Sequence, residues 1–279
     1  MTVKIVTDSV SDLPPQVVKE LGITVVPLNV RFGAEVYRDG VDLTAEQFFD
    51  KLVHSKTLPV TSVPSPGTFA EIYNKLAEET DEILVITLTS KLSGTHEVAL
   101  QSIGLMERKC RVEVVDSRLA VMGLGFVVMA AARAAQAGAK FDEILDIVDR
   151  NIPRADFRAA FDTLEYLQRG GRIGKAQALL GSILKINPVI GLKDGEVIPY
   201  GRERSRARAI EHLYNFAMSY SHIEEIAVEY AAALDEAEAL IERLGSIFPK
   251  ERIYRSRTTP VISTHTGPSL LVVTVLGDR

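Results

Sequence analysis

Short apolar runs and longer amphipathic segments alternate along the first half of the chain. Dense apolar runs are typical of buried strands, whereas apolar residues three or four positions apart are typical of helices. The runs predict strands at 3–7, 24–30, 82–88 and 112–115. The amphipathic segments predict helices at 15–21, 44–53, 69–79, 94–106, 122–137 and 142–151. Strands that alternate with helices predict a mostly parallel sheet with helices packed over it.

The pattern changes near Pro153. Strands are predicted at 157–161, 188–192, 196–200, 226–230, 252–255 and 270–275. Helices are predicted at 164–167, 175–184, 206–220 and 234–244. Asp194-Gly195 between two strands is a strong hairpin signal, so this half should contain a mixed sheet. We therefore predict an α/β protein of two domains, residues 1–155 with a mostly parallel sheet and residues 156–279 with a mixed sheet.

Composition narrows the range of functions. A net charge of −5 argues against a general nucleic-acid partner, because such binding requires basic surface. Cys110 is the only cysteine, so no intramolecular disulfide is expected, and no residues stand at metal-ligand spacing.

The apolar stretch 119–132 is shorter than the roughly 20 residues that span a bilayer and predicts a buried helix. The first residues lack the features of a signal peptide, so a cytoplasmic location is expected.

The most informative segment is 83–95, where an apolar strand runs into Ser93-Gly94-Thr95 at the start of a helix. A helix N-terminus favours an anion, and glycine lets a ligand approach the backbone. The sequence therefore predicts a small-anion site here, and a carboxylate is the candidate ligand.

Other loops with small polar residues follow strands of the same half, at 8–12 and 116–118. The segment 61–67 contains two prolines and a glycine, which predict a loop that begins with Thr61-Ser62. Because ligands of open α/β sheets collect at the carboxyl ends of strands, these loops are expected to converge. The alternative is that their serines and threonines only cap helices.

His265 lies in a predicted loop at 263–268. Of the histidines, it is the one that we expect the fold to hold in a defined position. Ser93 with His265 as its base would make a hydrolase or acyltransferase, which is the alternative function. Against it, the Gly-x-Ser-x-Gly signature is absent and no acid is placed by a motif to orient His265.

Two basic segments stand out in the second half, 169–175 and a cluster that begins at Arg202. The first is not a phosphate loop, because Ala176 follows Lys175 and the glycine spacing is wrong. Both segments fit a partner surface, and a merely solvated surface is the alternative.

Six short segments, in this order, carry a family resemblance. They are Thr7-Asp8-Ser9, 61–67, 92–95, Asp116-Ser117-Arg118, 167–173 and 265–268. From end to end the sequence resembles the DegV family of bacterial fatty-acid-binding proteins. The resemblance implies two domains with a buried tunnel between them for one long-chain fatty acid. It also implies a separate fatty acid kinase that phosphorylates the bound carboxylate, and an acyl phosphate that feeds phospholipid synthesis.

When the family resemblance is combined with the residue patterns, the predicted site has three parts. The carboxylate site comprises Thr61, Ser62, Ser93, Gly94, Thr95, His265 and Thr266. Residues expected near it are Ser9, Ser117, Arg118 and Met122. The kinase-partner surface comprises Arg169, Arg172 and Arg202. No catalytic residue, metal or cofactor is expected, transient membrane contact is compatible with this function, and the oligomeric state is left open.

Overall fold

The structure, a computed structural model, describes residues 2–55, 57–180 and 186–279. The strands in these residues are β1 (Lys4–Asp8), β2 (Thr24–Val26), β3 (Asn29–Phe32), β4 (Glu35–Arg38), β5 (Val60–Ser62), β6 (Glu82–Thr87), β7 (Arg111–Asp116), β8 (Ala155–Ala160), β9 (Asn187–Lys193), β10 (Glu196–Glu203), β11 (His222–Tyr230), β12 (Tyr254–Arg257) and β13 (Leu271–Asp278). The α-helices are α1 (Pro15–Leu21), α2 (Ala45–His54), α3 (Pro66–Leu76), α4 (Thr95–Ile103), α5 (Val121–Gln136), α6 (Phe141–Asn151), α7 (Glu165–Arg169), α8 (Arg206–Met218), α9 (Leu234–Leu244) and α10 (Pro260–Thr266).

The first sheet has the strand order β2-β1-β6-β7, and all its pairings are parallel. Its strands are joined through helices, as parallel strands require. Because the strands share one direction, the segments that follow β1, β6 and β7 all leave the sheet at the same edge. The predicted parallel sheet is confirmed.

The second sheet has the order β10-β9-β8-β13-β11-β12. It is mixed, because β11 pairs with β12 in parallel while its other pairings are antiparallel. The predicted hairpin joins β9 to β10, and Asp194 and Gly195 at its tip have φ of 51° and 80°. This is the left-handed conformation that such a turn needs. The predicted mixed sheet is confirmed.

A third, three-stranded sheet was not predicted. Its order is β4-β3-β5, and it corrects two predictions. The single strand expected at 24–30 is two strands in two sheets, which separate at Pro27 because proline has no N–H for a sheet ladder. The loop expected at 61–67 begins as strand, since Thr61 pairs with Val30, and its last residues start α3.

Helix α5 lies between the two larger sheets and contacts β1, β8 and β13. Twelve of its residues are buried, which confirms the buried helix predicted at 119–132. Leu84 of the first sheet and Phe157 of the second belong to one continuous hydrophobic core. The domain division at residue 155 stays a prediction. Among the described residues, no helix has the length and apolar character needed to cross a membrane.

The helix predicted at 175–184 takes a different form. Residues Gly174–Leu179 make a 3-10 helix, and the end of the segment predicted at 175–184 lies outside the described residues.

Residues 263–268 were predicted to be a loop, but most of them belong to helix α10. Two carboxylates from the first half of the chain accept hydrogen bonds at its N-terminus. Asp12 Oδ1 accepts from the N–H of Thr259 at 3.0 Å, and Asp39 Oδ1 accepts from the N–H of Val261 at 3.2 Å. These N–H groups have no partner within a helix, and their partial charge favours an anion. The two aspartates thus fix α10 against the first half of the chain.

Both capping aspartates are buried, and burial shifts their titration. Burial raises the pKa of Asp39 to about 6, and it raises the pKa of Asp12 well above the usual range, to which the nearby Glu229 carboxyl adds. The shift follows because low-dielectric surroundings disfavour the charged form. These carboxyls are therefore protonated more readily in the folded chain than in the unfolded chain.

Asp39→Asn should change how stability depends on pH. The raised pKa of Asp39 favours folding below about pH 4, and that contribution is lost as pH rises to about 6. Asparagine keeps an acceptor for Val261 and does not ionise. The free energy of unfolding of the variant, relative to the wild type, should therefore rise by up to about 3 kcal/mol between pH 4 and pH 7. Urea denaturation at both pH values measures this, and Asp149→Asn, at an exposed position, is the control. Parallel stability curves for Asp39→Asn and the wild type would contradict the assignment.

Candidate functional site

The segment between β6 and α4 carries Ser93 and Gly94. The Ser93 hydroxyl lies 2.9 Å from Thr95 Oγ1 and accepts from the Thr95 N–H at 3.3 Å. Ser93 thus caps the first N–H of α4 from the residue before the N-cap, which is Gly94. The segment is fixed at its start, because the Leu88 N–H donates to the buried Asp8 carboxylate at 2.8 Å. Ser93 and Gly94 also face a cavity, so the capping role and a ligand-facing role coincide.

Thr61 and His265 meet across 204 residues of sequence, with Thr61 Oγ1 2.8 Å from His265 Nε2. Thr61 is placed by β5 and His265 by α10, so this contact joins the small third sheet to the C-terminal part of the chain. Burial lowers the pKa of His265 to about 4, and the positive charge of Arg172 adds to this. The imidazole is therefore neutral at pH 7, and within the described residues its Nδ1 has no hydrogen-bond partner.

Among the described residues, the polar part of the cavity lining is grouped by contacts such as Thr61 with His265 and Arg172 with Leu92, and this group is called the polar end. The polar lining of the cavity consists of Thr61, Ser62, Ser93, Gly94, Arg172, His265 and Thr266. Its apolar lining comes from both halves of the chain and includes Val10, Leu28, Leu88, Val121, Phe157, Phe161, Ile190, Leu192 and Val272. About 140 Å³ is open to the centre of a water-sized sphere, so the room for atoms themselves is larger. The arrangement suits an elongated apolar molecule with one polar end.

The structure places the predicted residues unequally around this cavity. Six of the seven residues predicted for the carboxylate site line it, and Thr95 is buried directly behind Ser93. The Ser9 hydroxyl accepts from the Leu28 N–H at 3.1 Å, and so supports a lining residue from behind.

The other residues expected near the site lie farther from the ligand space. The Ser117 hydroxyl donates to Thr87 O at 2.7 Å, and Arg118 lines a separate polar cleft. The N–H of the buried Met122 donates to Glu229 at 2.9 Å, while the preceding Val121 lines the cavity.

Arg172 was predicted only as part of a partner surface, and sequence reasoning missed its place at the cavity. Its Nε donates to Leu92 O at 3.1 Å, and its Nη1 donates to Gly170 O at 2.7 Å. It thus brings a positive charge to the polar end. No spacing in the sequence could have shown this, because the contact to Leu92 spans 80 residues.

The two other predicted partner residues lie at the surface. Arg169 is exposed and forms an ion pair with Glu165 one helical turn earlier. Arg202 is exposed, and its Nη2 donates to Ala178 O at 2.7 Å. In the part of the chain that the structure describes, no three His, Cys, Asp or Glu side chains are grouped as a metal site requires.

Comparisons with known proteins point to one family. A model of the family described as "Uncharacterised protein, DegV family" matches residues 2–278. A DegV domain-containing protein of Caldanaerobacter subterraneus is 35% identical over 270 residues, which cover 95% of each chain. A DegV family protein of Thermus thermophilus, whose structure is described as showing fatty acid binding, superposes with a TM-score of 0.90 at 35% identity, over 99% of this chain and 100% of that one. A protein of Eubacterium ventriosum described as binding stearic acid gives a TM-score of 0.88 at 26% identity, over 98% of each chain. On the strength of the family match along nearly its whole length, this chain belongs to the DegV family.

Proposed function

We propose that this protein binds one long-chain fatty acid, with the carboxylate at the polar end of the cavity and the alkyl chain along its apolar walls. The observation that carries the proposal is the cavity lining, in which the described hydroxyls and a cation are grouped by mutual contacts and most other residues are apolar. The fatty-acid-binding relatives from Thermus thermophilus and Eubacterium ventriosum share the fold and support the same ligand class.

The polar end supplies what a carboxylate requires. A fatty acid is ionised at pH 7, since the pKa of a carboxyl group is roughly 4 to 5. Burying that charge without donors would be costly. The hydroxyls of Ser93 and Thr61 offer donors, and the Arg172 guanidinium and the N-terminus of α4 offer positive potential. A neutral His265 that donates through Nε2 leaves the Thr61 hydroxyl proton free for the ligand.

The apolar walls supply most of the affinity. At about 0.8 kcal/mol per buried CH₂, some fifteen methylenes contribute roughly 12 kcal/mol before the costs of association. The head group then determines the direction in which the chain lies, because the charged end is stable only beside Ser93, Thr61 and Arg172.

We further propose that the protein presents this carboxylate to a separate fatty acid kinase, and that the acyl phosphate formed feeds phospholipid synthesis. Arg172 lines the cavity, and the exposed Arg169 lies three residues before it on the same segment. A kinase that docked on Arg169 and Arg202 would thus meet the polar end of the cavity. The sequence has no phosphate loop of its own, so the phosphoryl donor would be bound by the partner.

The geometry favours a carrier over a serine hydrolase. A nucleophilic serine needs a base within hydrogen-bond reach and a third group that orients the base. The Ser93 hydroxyl is instead bonded to Thr95, and His265 Nε2 is bonded to Thr61. A cytoplasmic location and the absence of any cofactor or metal stay predictions.

Ser93→Ala should weaken fatty-acid binding without loss of the fold. A hydrogen bond to a charged group contributes about 1.5–3 kcal/mol, so the Kd for palmitate should rise by about ten- to a hundredfold. Titration calorimetry on delipidated protein measures this. Ser65→Ala is the matched control, because Ser65 makes the same kind of bond to Thr68 at the start of α3 but does not line the cavity. Equal affinities for the two variants would remove Ser93 from the site.

Arg169→Ala should lower acyl phosphate formation by a bacterial fatty acid kinase with ATP at least tenfold, with palmitate affinity unchanged. The reason is that Arg169 is exposed and offers its charge to a partner rather than to the ligand. Arg243→Ala, which removes another exposed arginine paired with a glutamate, is the control. If kinase turnover is the same for both variants, Arg169 is not part of the partner surface.

A further inference from the structure

Gly170 lies where a glycine is not required by the backbone. It ends α7 with φ −74° and ψ −9°, a right-handed conformation open to any residue. A Cβ at this position, however, would lie 2.2 Å from Nδ1 of His265 and 3.0 Å from its Cε1. Real Cβ atoms do not approach other atoms this closely, so any side chain at 170 would displace the imidazole or α7.

The same contact between α7 and α10 is repeated one turn away. A Cβ at Gly267 would lie 2.4 Å from Cδ2 of Tyr166. The two short helices therefore fit together through a glycine on each side, and each glycine accommodates a ring from the other helix.

The position of Gly170 also determines which nitrogen of His265 can be used. Its backbone covers the Nδ1 edge of the ring, and Nδ1 has no partner among the described residues. A buried N–H without an acceptor is costly, so the proton of the neutral ring is best held on Nε2. Nε2 is the nitrogen that meets Thr61 Oγ1 at 2.8 Å.

Arg172 links this contact to the serine loop. It donates to Gly170 O at 2.7 Å and to Leu92 O, the carbonyl that precedes Ser93, at 3.1 Å. One side chain thus bridges the backbone beside His265 and the backbone beside Ser93. The planar guanidinium of arginine fixes the directions of two bonds from two different nitrogens, which the single nitrogen of a lysine does not.

We propose that Gly170 and Arg172 are positioning residues of the carboxylate site: Gly170 holds the His265 ring with Nε2 toward Thr61, and Arg172 holds that ring and Ser93 at a fixed separation. This inference rests on the proposed function, because it assigns a role in binding the fatty-acid head group. It also gives residues 169–172 a second role, in addition to their proposed role as a partner surface.

The test compares Gly170→Ala with Gly104→Ala. Gly104 ends α4 with φ −69° and ψ −11°, and a Cβ there would meet only Gln101 O, at 3.6 Å. The two changes therefore have the same effect on backbone freedom, and only the first collides with His265. In NMR spectra of ligand-free protein with labelled histidine, Gly170→Ala should shift the ring signals of His265, and Gly104→Ala should not. Palmitate affinity should fall at least tenfold for Gly170→Ala alone.

A double variant separates positioning from general damage. If Gly170→Ala acts through the ring, adding it to His265→Ala should lower palmitate affinity by less than threefold, because the colliding group is gone. Arg172→Lys keeps the charge but not the fork, and it should also shift the His265 signals.

Wild-type affinity and unshifted His265 signals in Gly170→Ala would overturn the proposal. The proposal would also be overturned if adding Gly170→Ala to His265→Ala lowered palmitate affinity by as large a factor as Gly170→Ala lowers it in the wild type. If Gly170→Ala does not fold, folding of the double variant supports the collision, and unshifted signals in Arg172→Lys overturn the role of Arg172. A wild-type protein that does not bind palmitate would instead refute the proposed function, while the ligand-free spectra still decide the role of Gly170.

Discussion

Helix α10 carries His265 to the site, and two buried carboxylates hold its N-terminus in place. Asp12 and Asp39 come from the first half of the chain and accept from N–H groups at the start of this helix. A buried carboxyl is tolerated only where donors meet it, and a helix N-terminus provides such donors. This cap ties the C-terminal part of the chain to its first half. The cavity lies between the parts of the chain that the cap brings together, so its shape depends on this contact.

The chemistry at the polar end follows from what surrounds it. His265 is half-buried beside the cation of Arg172, and the desolvation and this charge together lower its pKa and keep the imidazole neutral at pH 7. Among the described residues that line the cavity, Arg172 alone carries a fixed charge, and it stands beside several neutral donors, which suits a single carboxylate. A charged imidazole would add a second cation in apolar surroundings at a further cost of desolvation. The described apolar walls favour a ligand whose other end carries no charge, because burying an unpaired charge there would be costly.

Much of this arrangement could be predicted from the sequence, and the exceptions have physical reasons. Ser93-Gly94-Thr95 was visible because a helix start follows an apolar strand after a short connecting segment. The β9–β10 hairpin was visible because Asp194-Gly195 fits its tight turn. Helix α10 was missed because its seven residues are stabilised by distant aspartates rather than by their own pattern. The three-residue strand β5 was missed because only its pairing with β3 makes it a strand. The roles of Gly170 and Arg172 depend on contacts that span about 80 to 95 residues, which no local pattern records.

The central claim is that the cavity holds one long-chain fatty acid, and mass spectrometry of an organic extract of the purified protein tests it most directly. The account predicts a long-chain fatty acid at close to one molecule per chain. An extract without fatty acid, together with a delipidated protein that fails to bind added palmitate, would contradict it.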